Sequence, residues 1–152
     1  VLIGGKEVSI HQPYEAIQHG IGLLPEDRKA KGLLLDKSVL ANITLSSLRK
    51  YCKLGVINRK KEKETVEGYI KSLLIKTPST AQQAQFLSGG NQQKLIVAKW
   101  LDMDSDILIF DEPTRGIDVG AKFEIYQLMH QLVESGKSII MVSSDFEELI
   151  VR

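Results

Sequence analysis

Cysteine is almost missing from this 152-residue chain: Cys52 stands alone, so no internal disulfide can form. That excludes a disulfide-stapled secreted fold and fits a reducing compartment, with Cys52 expected as a small buried hydrophobe. Long apolar runs are missing too. None approaches the roughly 20 residues that cross a bilayer, and no secretory signal pattern is visible. Charge of one sign is scarce, since 20 Lys and Arg face 19 Asp and Glu for a net charge of +1. With no extended basic patch, a nucleic-acid surface is disfavoured. The three histidines, His11, His19 and His130, share no motif and build no metal site. Repeats and low-complexity tracts are absent. By length alone the chain could be one domain.

What is present is concentrated in two segments. Leu87-Ser88-Gly89-Gly90-Asn91-Gln92-Gln93-Lys94 is a glycine-rich turn that feeds a helical pattern. Leu95, Ala98 and Leu101, joined by Val97 and Trp100, supply its apolar face. Ser88 suits an N-cap, with Leu87 as the hydrophobic residue that fixes the entry angle. Gly89 and Gly90 fall in the first turn, where N–H groups lack partners and no Cβ bars an approaching anion. The helix dipole adds partial positive charge there. Ser-Gly-Gly alone would fit any capped helix; the full run points to a turn that faces a phosphate.

The second segment is Ile107-Leu108-Ile109-Phe110-Asp111-Glu112-Pro113-Thr114. Its continuous apolar run predicts a strand buried on both faces of a parallel sheet, and ligands collect beyond the carboxyl ends of such strands. Asp111 is suited to coordinate Mg²⁺, directly or through water. Glu112 is suited to polarise a water for attack on a γ-phosphate. Pro113 ends the strand. Asp118 then reads as the N-cap of a helix carrying Ile125, Leu128, Met129, Leu132 and Val133 on one face, with Lys122 as its i,i+4 partner. Gly136 stops that helix, and residues 138–142 predict another buried strand ending at Ser143-Ser144-Asp145.

Three regions follow. Residues 1–25 predict an edge hairpin, a short helix after Pro13 and a strand at 21–24. Residues 26–86 read as helical, near 39–50, 58–74 and 80–85, with the charge run Arg59-Lys60-Lys61-Glu62-Lys63-Glu64 as a solvated face. Residues 87–152 hold the two motifs.

Together the motifs resemble the signature and Walker B strand of an ATP-binding cassette (ABC) ATPase. Asn91, the run Asp111 to Lys122 and Pro25-Glu26-Asp27-Arg28-Lys29 resemble the C-terminal cassette of the tandem ATPase subunits of bacterial simple-sugar importers, of ribose, galactose and xylose type. Ser38-Val39-Leu40-Ala41-Asn42 resembles the segment that follows in that class. The resemblance implies an α/β fold: a partial P-loop NTPase with a mostly parallel sheet core and a helical signature subdomain. Two departures stand out. The Gly-x-x-x-x-Gly-Lys-Ser/Thr phosphate loop (Walker A) is absent, since Gly5-Lys6 is followed by Glu7. Ser144 occupies the position where most cassettes carry a switch histidine, a trait shared by this sugar class.

By that resemblance, ATP and Mg²⁺ are the cofactors and Glu112 is the catalytic base. Asp111 is the metal ligand. Ser88, Gly89, Gly90 and Asn91 face the nucleotide of an opposing cassette. Asp118 belongs to the D-loop that contacts the partner site, a role compatible with its N-cap role. Glu26 is the Q-loop equivalent, and Glu26 to Lys29 with the following helices would meet a coupling helix of the membrane subunit.

The expected partners are the N-terminal cassette of the same polypeptide or a second ATPase subunit, the permease, and indirectly a periplasmic or extracellular sugar-binding protein. The implied location is the cytoplasmic face of a bacterial plasma membrane. The expected function is ATP hydrolysis that powers sugar import, with this chain read as an internal fragment, inactive alone. Importers of nucleosides or an autoinducer, soluble non-transport ABC ATPases and a non-catalytic interaction module are the alternatives.

Overall fold

The structure, a computed structural model, describes residues 1–146 and 148; positions 147 and 149–152, the end of the third region, lie outside it. Its centre is a parallel sheet of three strands: β3 (Ile21–Leu24), β6 (Ile107–Asp111) and β7 (Ser138–Val142), side by side in that order. The register pairs Leu24 with Phe110 and Asp111 with Val142, so the strands end level. Their carboxyl ends therefore deliver Pro25, Glu112 and Ser143 to one margin of the sheet. The fold is α/β, as the sequence predicts.

The helix α4 (Gly89–Asp102) lies between that sheet and a helical layer, which explains its unusual burial. Leu95, Ile96, Val97 and Ala98 are all fully buried. A surface helix would show a polar face here; this one has core on both sides. Leu24, Leu108 and Phe110 of the sheet share one apolar cluster with α4, with Leu128 and Leu132 of α5 (Val119–Glu134), and with Val39, Ile43 and Val66 of the helical layer. That layer contains α2 (Val39–Thr44), a 3₁₀ segment Leu45–Tyr51, α3 (Arg59–Ser72) and a short 3₁₀ turn Ala84–Phe86. At the amino end come the hairpin β1 (Leu2–Ile3) with β2 (Lys6–Glu7) and the helix α1 (Pro13–Gln18). No helix among the described residues is long and apolar enough to cross a membrane.

Several expectations are corrected. The strand β6 is buried on one face only: Leu108 and Phe110 are inaccessible, while Ile107 and Ile109 are half-buried. The strand β7 is a margin strand with Ile140 and Val142 exposed. An unbroken apolar run reads as two covered faces, but α4 and α5 together cover one.

Cys52 is exposed, in a small hairpin of β4 (Cys52–Lys53) and β5 (Val56–Ile57) that the sequence does not announce. Its turn, Leu54-Gly55, has both φ values positive (51° and 80°), the geometry of a type I′ hairpin. Two-residue strands carry no alternation to read. The mixed-charge run is not wholly solvated, because Glu62 is buried and accepts hydrogen bonds from Thr44 Oγ1 at 2.8 Å and Arg59 Nη1 at 3.1 Å. Val133 lies exposed on α5, so that helix buries a narrower stripe than its pattern suggests.

Candidate functional site

The signature turn has the backbone of a capped helix without the cap bond. Ser88 has extended dihedrals (φ −62°, ψ 159°), yet its hydroxyl bonds no helix N–H. Its Oγ instead accepts from Asn91 Nδ2 at 2.8 Å, and Asn91 Oδ1 accepts from the Lys76 backbone N–H at 2.7 Å. Asn91 thus ties the signature turn to the segment after α3. The missing Cβ atoms serve protein neighbours as well: one at Gly90 would lie 3.0 Å from Ala121 Cβ, and one at Gly89 would lie 2.7 Å from Arg28 Nη2. Gly90 therefore lets α4 and α5 approach closely. Inside this contact Lys94, nearly inaccessible, donates to Glu124 Oε2 at 2.7 Å. The ammonium groups of Lys94 and Lys76 hold the Glu124 carboxyl below its ordinary pKa.

Asp118 N-caps α5, its Oδ1 accepting from the Ala121 N–H at 3.0 Å. Ser88, Gly90, Asn91 and Asp118 line one cleft of about 280 Å³, so the residues expected to face a partner's nucleotide are gathered on one surface. Lys122 does not pair with Asp118; it pairs with Asp145 and Glu148.

The two carboxylates stand at the end of β6. Asp111 is half-buried, and among the described residues its carboxylate has no hydrogen bond or ion pair within the protein. Glu112 has a left-handed backbone (φ 48°), which turns the chain sharply out of the strand. Its Oε1 accepts from the Ser144 backbone N–H at 2.6 Å. The position expected to hold a switch residue is therefore in contact with the expected base through its main chain. Among the described residues, no three His, Cys, Asp or Glu side chains form a metal cage. Mg²⁺ suits such a place, because it commonly takes one or two carboxylates and completes its shell with waters and phosphate oxygens.

Two networks escape sequence reasoning. In the first, Arg28 donates from Nη1 to the Arg115 carbonyl at 2.8 Å, from Nη2 to the Gly116 carbonyl at 3.1 Å and from Nε to Gln92 Oε1 at 3.3 Å. Glu26 forms an ion pair with Arg115 beside it. In the second, the Glu148 carboxylate accepts from Thr114 Oγ1, from Ser143 Oγ at 2.8 Å and from Lys122 Nζ at 3.2 Å. Burial pushes the Glu148 carboxyl up, but these three donors outweigh it and hold it below the ordinary value. In return the Lys122 ammonium is raised, chiefly by its bond to Glu148. Arg28 lies within a Glu-Asp-Arg-Lys run indistinguishable by pattern from a charged turn. Only Asp27 behaves locally, accepting from the Lys29 and Ala30 N–H groups.

Residues 1–115 match the family described as ABC transporter. Over 151 residues the chain is 50% identical to a putative ribose/galactose/methyl galactoside import ATP-binding protein of Burkholderia ambifaria, a match that covers 99% of this chain and 29% of that protein. It is 50% identical over 150 residues to the ribose import ATP-binding protein RbsA of Bacillus subtilis, and 49% identical over 150 residues to the xylose import ATP-binding protein XylG of Thermoanaerobacter pseudethanolicus. Each of these two matches covers 99% of this chain and 30% of the relative. The chain thus spans under a third of the length of these relatives.

The fold is shared with a dimeric ATP-binding cassette in a post-hydrolysis state bound to ADP and Pi. The TM-score is 0.73 at 22% identity, over 96% of this chain and 62% of that one. An ABC transporter component from Clostridium perfringens aligns with a TM-score of 0.74 at 22% identity, over 95% of this chain and 55% of that one. With the motifs, the parallel sheet and the family match in agreement, the chain belongs to the ABC transporter family.

Proposed function

We propose that the chain is the signature, Walker B and switch portion of an ATPase subunit that powers bacterial import of a simple sugar of the ribose, galactose or xylose type. The carrying observation is the end of β6, where a half-buried Asp111 carboxylate, without a partner among the described residues, sits beside a Glu112 carboxylate anchored by the Ser144 N–H. Asp111 would hold Mg²⁺ together with phosphate oxygens of ATP. When bound, the metal neutralises charge that builds on the transferring phosphoryl group. Glu112 accepts the proton of the attacking water, and its Oε2, unbonded among the described residues, is the oxygen left for that task. The Ser144 N–H fixes the other oxygen and with it the direction of the base. Ser88, Gly89, Gly90 and Asn91, with Asp118 on the same surface, would complete the site built on an opposing cassette.

The partners in this reading are that cassette and a permease at the cytoplasmic face of the plasma membrane. A cleft of about 280 Å³ between residues 30–34 and α2, bounded by Leu33, Leu34, Leu45 and Lys99, supports the permease contact. The importer identity rests on the three sugar-importing relatives.

The test is reconstitution of the full-length ATPase with its permease and sugar-binding protein. ATP hydrolysis should rise when the binding protein is loaded with ribose, galactose or xylose. Stimulation only by a nucleoside or an autoinducer would move the substrate class, and hydrolysis indifferent to permease would sink the transport reading.

A further inference from the structure

We propose that Arg28 is a positioning residue that clamps the D-loop entry Arg115–Gly116 onto the start of the signature helix. The proposal rests on the ATPase reading above. The guanidinium joins three parts of the chain that sequence separates widely: its own loop after β3, the carbonyls of Arg115 and Gly116, and the Gln92 side chain in the first turns of α4.

Each contact is prepared by the protein. Gly116 has a left-handed backbone (φ 65°), and its dihedrals set the relative direction of the two carbonyls that flank it. Gln92 is buried, and its Nε2 donates to the Ala84 carbonyl at 3.1 Å, which fixes its oxygen toward Arg28. Gly89 leaves the space the guanidinium fills, since a Cβ there would lie 2.7 Å from Nη2 and 3.3 Å from the Gly116 carbonyl. The Glu26–Arg115 ion pair repeats the link through side chains.

A cation against a helix N-terminus is opposed by the helix dipole. Its presence there is explained by the two charge-assisted bonds to main-chain oxygens, which only a planar fork can make together. The loop that follows β3, the exit from β6 and the signature turn are thereby held as one body. A shift of the loop after β3 is passed to the residues that face a partner's nucleotide.

The test uses the full-length ATPase assembled with its permease. Arg28→Ala is expected to lower kcat about tenfold while KM for ATP stays within about twofold, because clamping sets geometry and not nucleotide affinity. Arg28→Lys, which keeps the charge and loses the fork, is expected to fall equally. Wild-type kcat in Arg28→Lys overturns the proposal, since charge alone would then suffice. Tryptic cleavage of the Arg115–Gly116 bond should quicken in both variants, and unchanged cleavage in both overturns it as well. Should Arg28→Ala not fold, Arg28→Lys decides by the same measurements. Glu112→Gln run alongside separates the two claims: unchanged single-turnover hydrolysis at its own site removes the ATPase reading, and the tryptic comparison then decides the clamp.

Discussion

At the start of α4, Ser88, Asn91, Gln92 and the guanidinium of Arg28 are engaged with one another or with main-chain atoms. At the end of β6, the Asp111 carboxylate has no protein partner among the described residues, and the Glu112 carboxylate has one, the Ser144 N–H. One region is furnished in advance, and the other leaves its oxygens open. A surface that must present a fixed shape to another subunit gains from internal bonding, because its geometry is then set before contact. Carboxylates that must meet a cation and a water cannot be committed to neighbours without losing that capacity. The two regions are also unequal in what a substitution should do: loss of chemistry at β6, loss of shape at α4.

The largest effect is expected at the open region. In the full-length protein, Glu112→Gln should slow single-turnover hydrolysis at its own site by about 10²–10⁴, the usual contribution of a positioned base. Ser144 offers a hydroxyl but no imidazole, and lost charge stabilisation of that kind commonly corresponds to roughly 10²–10³ in rate. Total hydrolysis should therefore fall less than with the equivalent change in the N-terminal cassette. Equal losses from the two substitutions would break the comparison.

A smaller effect is expected at the furnished region. Gly89→Ala places a methyl group against Arg28 Nη2 and the Gly116 carbonyl. Turnover should fall about tenfold through displaced geometry, while the other cassette's phosphate loop binds nucleotide normally. An alanine protein with full turnover and unchanged closure would show that the turn is not sterically specified.

The smallest effect belongs to the Glu148 network, which joins Thr114, Lys122 and Ser143. The folded pKa of Glu148 is depressed, so its contribution to stability is present above the ordinary value of 4.5 and fades as pH falls through the lower folded value. Glu148→Gln should cost about 1 kcal/mol at neutral pH. The gap in Tm between wild type and variant should narrow under acid conditions. A gap constant from neutral pH to well below the ordinary carboxylate range would refute the linkage.

Legibility from sequence divides along physical lines. The strands at 21–24 and 138–142 match the predicted bounds, because a run of apolar residues between turn formers is a local property. The end of β6 and the helix that begins after Ser88 were legible for the same reason. How fully each element is covered was not: α4, which reads as a helix with one apolar face, is enclosed by two layers, and β7, which reads as a buried strand, is exposed at three of its five residues. Contacts between distant residues were also hidden. Nothing in Glu26-Asp27-Arg28-Lys29 announces carbonyl partners at 115 and 116, since an arginine in a charged turn has the same pattern whether it meets water or main chain. Asn91 was legible as a family marker but not as the residue that ties Ser88 to Lys76.

One feature of the sheet distinguishes its two margins. The indole of Trp100 lies over Gly22, where a Cβ would come within 2.8 Å of the ring, and its Nε1–H donates to the Leu23 carbonyl at 2.8 Å. That bond occupies one main-chain acceptor of β3, which has no further strand on its outer side among the described residues. On the opposite margin β7 has no further strand beside it among the described residues, and Ile140 and Val142 are exposed. The two margins are thus finished differently, by an indole bond at β3 and by exposed apolar side chains at β7.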